Sequence, residues 1–342
     1  METRKNYIIR LFYLFLFLVL LMVTNISLGS VTIPLKEITA VLLNQGVENS
    51  SWEYIILNFR APKTITGIIA GSGLAVSGML MQTLFRNPLA GPFVLGLSSG
   101  ASLGVALVLM GAGIFGGLSV FFLSSWGLVI AASLGSLSVL IAVMLAARHL
   151  KDTMALLIIG IMFANLTSAV VSILAYFSGA EQLQQYVFWS FGSVGNLSWS
   201  ELGILSIFWF LGTVLALTCV KNLNSLLLGE HYARSLGVNL SRNRTILIIS
   251  TSLLAGGITA FAGPIAFIGL AVPHLVRQII STNDHRIMLP AVIMGGACLM
   301  LICDTVAQLP GSSHTLPINA ITSLVGAPVV IWLLVRKRKL IF

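Results

Sequence analysis

Polar residues are scarce in this chain, so the few present limit its chemistry. No G-x-x-x-x-G-K-[ST] run exists to cradle nucleotide phosphates, so the chain is expected to hydrolyse no ATP by itself. It also lacks an HExxH helix, a G-x-S-x-G elbow and Cys/His spacing for a metal; no catalytic residue, metal ligand or resident cofactor is expected. Cys219, Cys298 and Cys303 sit in apolar runs without CxxC spacing and read as small core residues. The histidines are scattered, and His274, in the run 271–277, reads as structural. Asp304 is the acid set deepest in an apolar run, 300–306. A charge at the centre of a membrane helix costs about 2.5–3.5 kcal/mol, so Asp304 should face the bundle interior, a cavity or a partner. With no second acid to relay to, it reads as a hydrogen-bonding group rather than a proton carrier.

The most informative polar stretch is 225–238. Its glycines predict two short helices broken at Gly229 and ended near Gly237. Leu226, Leu227, Leu228, Leu236 and Val238 would then present apolar surface outside the membrane, and such surface marks a partner site or a helix lying on the membrane interface.

The elements that must position these groups follow from hydropathy. Of 342 residues, 57% are hydrophobic and 8% charged, against about a quarter charged in soluble domains. The apolar residues come in runs long enough for an α-helix to cross a hydrocarbon core of about 30 Å. Runs such as 11–22 and 129–147 are apolar or small all round, as lipid-facing or buried helices are. The sequence predicts one all-α transmembrane domain, 1–342, with ten spans near 8–28, 62–82, 93–110, 124–147, 153–177, 199–220, 245–262, 265–277, 287–307 and 316–335. The first is read as a retained helix rather than a cleaved signal, since no small-x-small site follows it. The eighth is short for a crossing and reads either as a helix shielded by neighbours or as a re-entrant loop.

With the amino terminus inside, all 19 basic residues except Lys36, Arg60 and Lys63 fall on the cytoplasmic side, which sets both termini there. The net charge of +9 is therefore a topology signal; no basic helix interleaved with aromatics points to nucleic acid. The outer segment 29–59 contains a short helix after Pro34, and 221–243 is the largest cytoplasmic loop. Gly67 with Gly71 and Gly100 with Gly104 have G-x-x-x-G spacing, expected to let helices approach closely in lipid.

Five blocks in order then resemble a known family: 58–63 (NFRAPK); 78–82 into 85–92 (FRNPLAGP) and 95–101; the loop around Leu228-Gly229-Glu230; 263–270 into Pro273-His274; and 316–318 with 326–328. The chain is similar to the FecCD permeases of binding-protein-dependent ATP-binding-cassette importers, which carry ferric siderophores, haem and cobalamin. The resemblance implies ten helices per subunit and two permease copies, identical or paralogous, around a central path. It also implies partner ATPase subunits and an extracytoplasmic binding protein. It assigns Leu228, Gly229, Glu230, Ala233, Arg234, Leu236 and Gly237 to the contact with the ATPase. Arg60 and Lys63 match outer basic residues that dock acids of the binding protein, though the second is usually Arg in the family; Gln308 aligns with a further docking Arg and is neutral here. Asn87, Pro88 and Leu89 match a turn lining the inner mouth of the path, and Thr153 falls near another gating position. Asn-Pro also starts turns whatever the function.

Overall fold

The computed structural model describes residues 4–29, 31, 33–43, 50–111, 124–149, 153–309, 312 and 314–336. All regular structure among them is helical. In chain order the helices are α1 (Arg4–Ser27), α2 (Leu35–Leu42), α3 (Ser50–Leu84), α4 (Leu97–Leu109), α5 (Ser125–His149), α6 (Thr153–Phe177), α7 (Ala180–Ser190), α8 (Trp199–Thr218), α9 (Val220–Leu226), α10 (Glu230–Ser235), α11 (Leu240–Ala262), α12 (Ile268–Ile280), α13 (His285–Ala307) and α14 (Ile318–Arg336).

Seven of these, α1, α3, α5, α6, α8, α11 and α13, are long and apolar enough to cross a membrane. The apolar helices Leu97–Leu109, Ile268–Ile280 and Ile318–Trp332 are shorter. Each of the ten segments expected from hydropathy overlaps one of these helices, three of which are short for a crossing. The weak eighth segment is a 13-residue helix, α12, packed against α3, α13 and α14. Burial by neighbours answers its shortness, because lipid need not wet its ends.

Helix α3 is the axis of the molecule. Over Ala61–Leu84 it is buried almost throughout and touches α8, α11, α12 and, most extensively, α13. Small residues make this possible. A Cβ at Gly71 would stand 2.2 Å from the Gly296 carbonyl oxygen, so the α3 and α13 backbones touch there. Gly100 and Gly104 bring α4 equally close to α5, at Gly135 and Ala131. Gly67 differs, since a Cβ there would meet Leu301 at 3.4 Å, ordinary contact. By contrast α1 lies on the periphery, against α13, with its apolar side chains outward.

Two expectations need correction. The second span was expected over 62–82, with a loop before it, but α3 begins at Ser50 and takes the end of the 29–59 segment into the helix. A π-helical turn, Ile56–Arg60, precedes Pro62. Pro62 has no N–H to offer the Asn58 carbonyl, and the backbone widens there instead of breaking. Second, α7 was not foreseen. Its Glu181, Gln182, Gln184 and Gln185 carry no apolar run, so hydropathy is silent about it. The helix expected after Pro34 is present as α2, whose Ile38 and Val41 pack with Ile26, Ile33 and Ile56 over the ends of α1 and α3. The three cysteines are buried, as read.

Candidate functional site: two polar ends of one helix pair

The residues singled out from sequence gather at opposite ends of α3. At its π-helical turn, Arg60 reaches back to the end of α1. Its guanidinium donates to the carbonyls of Ile26 (2.7 Å), Ser27 (2.8 Å) and Val31. A cation here satisfies helix-terminal carbonyls and opposes the negative end of the helix dipole. One turn on, Lys63 Nζ lies 3.2 Å from Asp304 Oδ1 on α13, the two side chains 21% and 5% exposed.

Asp304 is fully partnered. Its Oδ2 accepts from Asn25 Nδ2 (2.9 Å) and from Gln308 Nε2 (2.8 Å). Asn25 in turn accepts from Thr64 Oγ1 at 2.7 Å. A buried carboxylate with an ammonium and two amide donors has the satisfied geometry a charge needs in low dielectric. The hydrogen-bonding role read for Asp304 is what the structure shows. The sequence did not reveal Lys63 as its partner. Arg60, Lys63, Asp304 and Gln308 share the wall of one cavity of about 730 Å³, faced by Phe188 and Phe191 around the end of α7. Gln308 itself is buried against Asp304 rather than presented at the surface.

At the far end of α3 the chain turns through 85–96. Asn87 Oδ1 accepts from the Leu89 amide (2.9 Å), the side-chain turn that Asn-Pro sequences favour. The Pro88 carbonyl lies 2.8 Å from His274 Nε2, which fixes the turn to α12 and makes His274 structural, as read. Leu89 is exposed. Thr153 is the first residue of α6, and its side chain lies outside the described residues.

Beside this turn stands the elbow of α9 and α10. The helices break at Gly229, whose φ of 106° and ψ of 155° belong to a region only glycine enters freely. After α10 the Gly237 amide donates to the Arg234 carbonyl and the Val238 amide to the Ala233 carbonyl, with Gly237 at φ 83°. This is a Schellman stop, and Ala233 and Val238 are its apolar pair. Leu228, Tyr232 and Leu236 are exposed at 64%, 53% and 56%. Ala233 is 0% exposed, so a surface contact expected there is corrected: it packs beneath the elbow. Leu226 is likewise buried, because its face of α9 meets the bundle. Tyr232, absent from the sequence reading, belongs to the exposed apolar face. Arg234 is exposed; Gly229 and Glu230 are partly so.

The elbow and the 85–96 turn are neighbours. A Cβ at Gly229 would stand 3.8 Å from the guanidinium of Arg86. Lys63 and Thr83 are about twenty residues apart on α3, roughly 30 Å of helix, near the thickness of a hydrocarbon core. The arrangement is a helix pair with a cationic cavity at one end and an apolar elbow at the other.

Known proteins resemble this chain along most of its length. Residues 16–336 match the model of the FecCD transport family. The hemin transport system permease protein of Yersinia pestis is 37% identical over 328 residues, covering 96% of this chain and 95% of that protein. A vitamin B12 import system permease protein of Klebsiella pneumoniae is 38% identical over 289 residues, 84% of each chain. Among solved structures, an inward-facing metal-chelate type ABC transporter superposes with a TM-score of 0.83 at 31% identity, covering 96% of this chain and 99% of that one. The match spans the Lys63 end, the elbow and every apolar helix between them, and the chain belongs to the FecCD transport family.

Proposed function

We propose that this chain is the permease subunit of an ATP-binding-cassette importer that moves a metal chelate, a ferric siderophore or haem, from an extracytoplasmic binding protein into the cytoplasm. The observation that carries this reading is end-to-end similarity to a hemin permease, 37% identical over 96% of the chain. A cobalamin cargo has its own support, since vitamin B12 import permeases are 38% identical over 84% of the chain.

In this reading the chain is a multi-pass protein of the cytoplasmic membrane. Its ten apolar helices cross the bilayer with both termini inside, and two permease copies enclose the path. ATP is hydrolysed by separate subunits, since the sequence has no phosphate-cradling loop. Their motion reaches the permease through Leu228, Tyr232 and Leu236, whose exposure gives a partner an apolar face to seat against. Transport then requires two arrangements of the helices with different contacts to the ATPase, the general condition for alternating access. The binding protein docks at the other end, where Lys63 and the cavity beside Arg60 offer positive charge. Asn87, Pro88, Leu89 and Thr153 line the inner mouth.

Uptake of labelled ferric siderophore, haem and cobalamin into liposomes holding the permease, its ATPase and the binding protein tests this. One of the three is expected to accumulate, and accumulation is expected to stop when the ATPase carries a dead Walker lysine. Accumulation driven by a proton gradient without ATP refutes the reading.

A further inference from the structure

The elbow is fixed to the bundle by a chain of polar contacts that crosses three elements. Asn224 on α9 donates from Nδ2 to Asp284 Oδ1 (2.6 Å), the residue that caps α13 by accepting from the Arg286 amide (2.9 Å). Asn224 Oδ1 accepts from the His285 backbone N–H at 2.9 Å and lies 2.7 Å from His285 Nδ1. On the far side of the ring, His285 Nε2 lies 3.0 Å from Thr83 Oγ1 on α3. His285 and Thr83 are both buried.

The proton inventory of this chain has one solution at Asn224. A carboxylate only accepts, so the amide NH2 must face Asp284 and the amide oxygen must face His285. That oxygen then needs a donor on the ring, which places a proton on Nδ1. Nε2 meets the Thr83 hydroxyl, which also has the Met79 carbonyl at 3.0 Å as an acceptor for its single proton. The direction of every contact from α9 into α13 is thereby set, and the imidazole is held edge-on between the two long helices.

This contact stands at the inner end of the helix pair whose outer end carries the Lys63–Asp304 ion pair. Between them the backbones touch at Gly71 and Gly296. Helices α3 and α13 are thus pinned to each other at both ends and in the middle, and only the inner pin also holds the elbow.

We propose that Asn224, His285 and Thr83 are positioning residues for transport, forming the joint through which displacement of the elbow moves α13 and α3 as one body. The proposal rests on the importer reading for its purpose and on the contacts above for its mechanics. A partner pressing on Leu228, Tyr232 and Leu236 moves α9. The Asn224 amide then pulls on the first turn of α13, and His285 transmits that to the last turn of α3.

Two measurements on the full chain test it. In liposomes with the ATPase and binding protein, Thr83→Val removes the hydroxyl at nearly equal volume. It is expected to lower uptake per ATP hydrolysed by about fivefold or more, the range of coupling energies between linked sites, while ATP hydrolysis continues. Thr83→Ser, which keeps the hydroxyl, is expected to restore the ratio. Separately, spin labels at Leu228 and Arg286 in the permease alone are expected to give a narrow distance distribution, and a broad one when Asn224→Ala is added. Uptake per ATP unchanged in Thr83→Val, or a distribution as narrow in Asn224→Ala as in its parent, overturns the joint. The distance measurement needs no ATPase, so it decides the joint even where ATP-independent uptake has removed the importer reading.

Discussion

Asp304 and Lys63 show how differently two partners of one ion pair can weigh. Three donors from three side chains converge on the carboxylate, from Lys63, Asn25 and Gln308, whereas Lys63 reaches solvent at one edge of the cavity. Asp304→Ala strands the buried Asn25 and Gln308 amide donors, at a cost of about 1–3 kcal/mol each, while the Lys63 ammonium can turn to solvent. Lys63→Ala removes one contact and leaves an acid that still has two amide donors. Asp304→Ala is therefore expected to lower Tm in detergent clearly more than Lys63→Ala does. Lys63→Ala is instead expected to weaken capture of the binding protein, more at low salt than at physiological salt, where screening acts within about 8 Å. Equal losses of Tm, or salt-independent capture, would contradict this division of roles. The acid was legible as an oddity in an apolar run. Its partners were not, because Asn25 lies 279 residues away and local pattern carries no information across that distance.

Among elements, the pairing of α3 with α13 is decided by small residues at particular positions rather than by the G-x-x-x-G pattern as such. Gly71 meets backbone, and any Cβ there forces the helices apart; Gly67 meets the end of a leucine side chain. Gly71→Ala is expected to reduce thermal stability strongly. Gly67→Ala is expected to be neutral or to stabilise, since alanine is favoured over glycine in a helix by about 1 kcal/mol. A similar loss in both variants would mean that spacing, not contact, governs. The elbow was more readable. Two glycines at the right separation predicted its break and its end, and both adopt positive φ. Which of its apolar residues face out could not be read, since α9 and α10 are each under two turns long and too short for a repeating pattern to show.

At the scale of the molecule, the elbow and the Lys63 cavity lie at opposite ends of the long helix pair, so the two ends should meet different compartments. In intact cells or sealed vesicles, a cysteine at Glu181, on α7 beside the cavity, is expected to label from outside. A cysteine at Tyr232 is expected to label only from the cytoplasm and to cross-link to the ATPase, while one at Ala233, buried, should do neither readily. Labelling of Tyr232→Cys from outside reverses the topology. What the sequence determined by itself was the solvent, the all-helical class and the family. The first two follow from composition and local runs, because a bilayer imposes length and polarity on each segment separately; the family follows from the five motif blocks. Only the tertiary structure decided that Lys63 is matched by Asp304, that Ala233 is covered while Tyr232 is not, and that His285 joins three helices. Each of those depends on side chains from distant segments meeting in a low-dielectric interior, where an unpaired polar group is costly and the partner is chosen by packing.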